Sequence, residues 1–104
     1  SLEGINSIDS LLPPGMTRHL DGTPAELTGT SICVWTGYDW KHILYAGSQL
    51  SVDLPGLQFI MKSDIANSAT TYTLLISGMP DPETAEAVAA RLRSSGFCGA
   101  IICE

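Results

Sequence analysis

The stretch that decides the fold is residues 71–103, TYTLLISGMPDPETAEAVAARLRSSGFCGAIIC. Its opening alternates Tyr72, Leu74 and Ile76 against Thr71, Thr73, Leu75 and Ser77, the period of a β-strand. Gly78-Met79-Pro80 leads out of that strand into Asp81, whose carboxylate is free to accept an amide of a first helical turn. Pro82 follows at the first helical position, where its missing N–H costs nothing. Glu83 and Glu86 stand near the positive end of the helix dipole, and Arg91 and Arg93 near the negative end. Ala85, Val88, Ala89 and Leu92 form a narrow stripe of mostly small apolar residues, suited to lying close on a sheet. Gly96 falls where a left-handed residue ends a helix, and Phe97 can fold back on the last turn. The pattern predicts a helix over Pro82–Ser95 and a buried strand over Phe97–Cys103, with the two strands of the crossover parallel.

Upstream, Thr30–Gly37 reads as a strand with Ile32, Val34 and Thr36 on one face and Ser31, Cys33 and Trp35 on the other. Tyr38-Asp39-Trp40 then reads as a turn, and Lys41–Ala46 as the second strand of a hairpin broken by Gly47-Ser48. Gln49–Leu54 reads as extended, ahead of the turn signal Pro55-Gly56. Leu57–Lys62 alternates as a third strand, and the polar run 63–70 is expected to be loop. Residues 13–30, with three prolines and three glycines, also read as loop. Ile5, Ile8, Leu11 and Leu12 suggest a short amphipathic helix or an irregular arm. The expected organisation is an N-terminal arm and loop over 1–29 and a single α+β domain over 30–104. Its sheet is small and mixed, mostly antiparallel, with four or five strands and one main helix.

Eleven acidic residues against five basic ones, a net charge of −6, argue against nucleic-acid binding, which needs a basic surface. The basic residues are scattered, with no polybasic run for an anionic membrane, and no apolar stretch is long enough to span one. A chain that opens on Ser1 without Met is expected to be a processed or engineered fragment.

Cys33, Cys98 and Cys103 contain no CxxC pair. Cys98 and Cys103 on one extended strand would stand about 16 Å apart, beyond bridging distance. Cys33 is therefore the one cysteine able to pair, with either of the others. The default expectation is reduced, buried thiols, which favours a reducing compartment such as the cytoplasm.

Two constellations bear on function. Trp35, Tyr38, Trp40, His42 and Tyr45 crowd one short stretch, and rings on a turn are hard to bury; exposed aromatics of this kind serve recognition of proteins or sugars. The opposite reading folds them onto the core. His19 with Asp21 could be a base and its orienting carboxylate, and a cysteine beside a histidine an activated nucleophile, but no spacing supports either. No catalytic residue, metal site or cofactor is therefore assigned. The expected function is a non-catalytic binding module with a protein partner. A small Cys/His enzyme and a homodimer through a sheet edge are the other readings.

The run Tyr72–Gly78, then Asp81–Ala87, then Arg91-Leu92 and Gly96-Phe97 resembles one half of a SPOR-type domain. That family joins two such halves in a ferredoxin-like arrangement and binds peptidoglycan glycan strands stripped of their peptides. The resemblance implies a glycan site on the sheet face, with no particular residue carried over. Residues 1–70 show no matching first half.

Overall fold

In a computed structural model of the chain, residues 16–103 are described. They are α+β: a five-stranded sheet with two helices. In chain order the elements are β1 (Thr17–His19), β2 (Thr30–Gly37), α1 (Trp40–Asp53), β3 (Gln58–Ala66), β4 (Ala69–Met79), α2 (Pro82–Ser94) and β5 (Ile101–Cys103). The short helix or arm expected over 1–12 lies outside the described residues.

The sheet runs β1-β3-β4-β2-β5, and every paired neighbour is antiparallel. Since β4 and β5 both run against β2, they are parallel to one another with β2 between them. The expected crossover is therefore present, but split by a third strand. The same holds for β2, α1 and β3, whose two strands flank β4. The chain thus contains two strand–helix–strand units, interleaved so that each lends a strand to the middle of the other.

Five local expectations are corrected. Lys41–Ala46 is not a strand but part of α1. Trp40, Ile43, Gly47 and Leu50 recur at spacings of three and four and are all buried. Asp39 is not a hairpin turn residue but the N-cap, accepting the Lys41 amide at 3.0 Å. Gly47 does not break the helix; it lets the helix approach the sheet. A Cβ there would stand 3.0 Å from methyls of both Leu20 and Leu74. The polar run 63–70 is a β-hairpin, paired from Gln58↔Ser77 out to Ala66↔Ala69. Its two-residue tip, Asn67-Ser68, has positive φ at both positions, the geometry whose twist matches the flanking strands. Within the expected loop 13–30, Thr17–His19 forms β1 on the outer edge of β3, so the sheet begins well before residue 30.

The C-terminal unit follows its sequence closely. Asp81 Oδ1 accepts the Thr84 amide at 2.7 Å. At the other end the Phe97 amide donates to Leu92 O at 3.0 Å, with Gly96 at φ +111° between them, the paired closure of a Schellman motif. Ala85, Ala89 and Leu92 are buried against the sheet. The last strand is shorter than expected: Phe97–Gly99 is a loop, and pairing begins at Ile101.

Both helices share one core. It holds Ile32, Val34, Phe59, Met61, Leu74 and Ile76 from the sheet, together with Trp40 and Ile43 of α1 and Leu92 of α2. On the opposite face Ile60 and Leu75 are paired and buried, outside that cluster. There Ser77 Oγ accepts the Thr28 amide at 2.8 Å, tying the approach to β2 onto β4. None of the described helices is long and apolar enough to cross a membrane.

Candidate functional site

The feature that builds a site is one extra residue in β2. Cys33 pairs with Leu75 and Trp35 with Leu74, so two steps on β2 match one on β4 and Val34 is the added residue of a β-bulge. A bulge re-aims the side chains beyond it. Up to Val34 the expected alternation holds. Beyond it the faces exchange. Trp35 now lies with Leu74 on the helix side, where its ring meets Phe97 edge-on, centroids 6.5 Å apart. Thr36 turns to the far face, where its hydroxyl shares a 3.0 Å hydrogen bond with that of Thr73.

Trp35 and Phe97 form part of an open groove of about 1100 Å³ between α1, β2 and the α2–β5 loop. The α1 wall carries His42, Ala46, Gln49 and Asp53, spaced four, three and four along one helix face, with Tyr45 beside them. This face adjoins the buried stripe, so α1 packs with one side and presents the other. The far wall is Phe97-Cys98-Gly99, held by Arg93, whose guanidinium donates to Ala100 O at 2.9 Å and pairs with Glu86. The lining carries the carboxylate of Asp53 and the imidazole of His42, and no Lys or Arg contributes.

Of the five aromatic and histidine candidates, Trp35, His42 and Tyr45 line this groove, with Trp35 41% and Tyr45 68% exposed. Tyr38 is exposed ahead of α1 but does not line it. Trp40 is corrected: at 7% exposure it is a core residue, because it opens the buried stripe of a helix rather than a turn. Lys41 Nζ lies 6.0 Å from its ring centroid. His42 Nε2 sits 3.8 Å from Asp39 Oδ2, both side chains largely exposed. Gln49, Asp53 and Phe97 were not anticipated as site residues. Reading 40–53 as a helix would have aligned the first two with His42, whereas the bulge that brings Trp35 to Phe97 has no local signal.

The other constellation dissolves into local structure. Thr23 holds the Asp21 carboxylate through its hydroxyl at 2.7 Å and its amide at 2.9 Å, and these bonds lower the Asp21 pKa. The expectation of reduced thiols is also corrected. Cys33 and Cys103 form a disulfide with Cα atoms 5.8 Å apart, diagonal neighbours on antiparallel strands. Cys98 is free and exposed on the groove wall. The described residues hold no group of three or more His, Cys, Asp or Glu placed to bind a metal ion.

No protein-family model, curated protein or solved structure matches this chain.

Proposed function

We propose that this chain is a non-catalytic binding module whose protein partner occupies the groove between α1, β2 and the α2–β5 loop. The observation that carries the reading is Trp35. The bulge turns it into a concave, mainly apolar groove and still leaves it 41% exposed, beside exposed Tyr45 and the ring of Phe97. Large rings left accessible in a concavity are what binding sites bury on complex formation. The polar groups on α1, His42, Gln49 and Asp53, would orient the ligand. The disulfide supports an oxidising compartment in place of the reducing one. The test is titration of a partner captured from the native source against wild type and Trp35→Ala. Loss of about tenfold or more in affinity, about 1.4 kcal/mol, is expected. A partner held equally by both proteins places the site elsewhere.

A second reading is a SPOR-like glycan module. It gains support from the chain path: β2-α1-β3 supplies the first strand–helix–strand half that residues 1–70 had not revealed, and the strand order β3-β4-β2-β5 is that of a ferredoxin-like arrangement with β1 added at one edge. The face away from the helices carries Thr36, Lys62, Asp64 and Thr73, polar groups of the kind that hydrogen-bond sugars. Sedimentation with purified peptidoglycan sacculi tests it, and a chain left entirely in the supernatant removes it.

A further inference from the structure

We infer that the groove takes an extended, basic peptide segment of its partner as an added strand on the free edge of β2. This rests on the proposed binding role of the groove and specifies its chemistry. Four successive residues of β2, Cys33, Val34, Trp35 and Thr36, all line the groove. Across the bulge Val34 and Trp35 lie on the helix side and Cys33 and Thr36 on the far face, so a cavity touched by all four runs along the strand's edge rather than over one face. That edge is open. In the sheet order β2 has only β5 on its outer side, and the ladder with β5 ends at Cys33. Among the described residues, no other backbone hydrogen bond reaches the outer edge of β2 between Val34 and Gly37. A bare strand edge is a template for another strand, and main-chain pairing supplies affinity while side-chain pockets supply selectivity.

Charge and shape choose the occupant. The lining contains Asp53 and no Lys or Arg, on a chain of net charge −6, and Asp53 has no ion-pair partner among the described residues. Lys or Arg flanking an apolar anchor complements this lining, the anchor packing on Trp35 and Phe97. A second copy of this chain would bring acid to acid. The bulge at Val34 also works against a flat sheet edge, whereas a flexible peptide can follow it.

The probe is a displayed library of random dodecapeptides selected on the whole chain, with the best binder then synthesised in four forms: unmodified, with its Lys and Arg replaced by Glu, and N-methylated at either alternate set of backbone amides. The N–H groups of a strand point alternately to its two sides, so only one methylation set should weaken binding, by about tenfold or more, while the other is tolerated. The Glu form should bind at least about tenfold more weakly, and amide exchange at Val34–Gly37 should slow in the complex. If Trp35→Ala weakens the peptide but both methylation sets are tolerated, the groove is a site and strand addition is wrong. A peptide indifferent to Trp35→Ala and to both methylation sets overturns the inference and the groove reading together. Failure to select any basic peptide overturns the inference, as does a concentration-dependent dimer that protects Val34–Gly37 without peptide.

Discussion

The two strand–helix–strand units share a path through the sheet and differ in how their helices are held. α2 carries its own instructions at both ends: Asp81 and Pro82 at the start, Gly96 and the Phe97 amide at the finish, with Glu83 and Arg91/Arg93 matched to the dipole. α1 has an N-cap in Asp39 but no acid in its first turn, no base in its last, and a glycine in its middle. It depends on Trp40, Ile43 and Leu50 reaching the core. The locally determined helix is scaffold. The helix that needs tertiary contacts also lines the groove, because its second face is left free to carry His42, Gln49 and Asp53.

The largest expected effect falls where the units are joined. The Cys33–Cys103 bond ties the final strand of the second unit to the first strand of the other across 70 positions, a closure whose removal costs about 4 kcal/mol by chain entropy. The double replacement Cys33→Ser with Cys103→Ser should lower the urea midpoint accordingly. An unchanged midpoint would mean that the three-residue β5 is held without the bond. Next comes Trp40→Ala, which removes the first anchor of α1 and is expected to cost about 3 kcal/mol. Trp35→Ala, only a few positions away but exposed, should change stability by less than about 1 kcal/mol while affecting binding. Equal costs in denaturant unfolding would erase the division between a packed face and a presented face. The smallest effect belongs to the cap of α2. The Thr84 amide and hydroxyl lower the Asp81 pKa below its usual 3.8. A lowered folded-state pKa contributes stability above the unfolded value, lost as pH falls through the folded one. Asp81→Asn keeps an acceptor for the helix start but does not ionise. The stability advantage of wild type over this variant should therefore be constant near neutrality, begin to fall near pH 3.8 and be lost as pH drops through the lower folded-state pKa; a difference independent of pH across that range would show that the charge contributes nothing.

Read alone, the chain determined what is encoded by neighbours. Asp81, Pro82 and Gly96 mark α2 because capping involves groups within one turn of each other, and the alternation of Thr71–Ser77 marks a strand because pleating fixes its period. The α+β class was legible in the same way. Asp39 with the spacing of Trp40, Ile43, Gly47, Leu50 held the signal for α1 as well, but a glycine and a cluster of rings read more readily as a turn. Three features were decided only by the tertiary structure. Gly47 is tolerated in a helix because Leu20 and Leu74 lie where its side chain would go. Cys33 takes Cys103 rather than Cys98 because β5 docks beside β2 in one register. Trp35 faces the groove because an extra residue at Val34 exchanges the faces of β2. Each depends on a partner distant in sequence, and the extra residue of a bulge is defined only against the strand it pairs with.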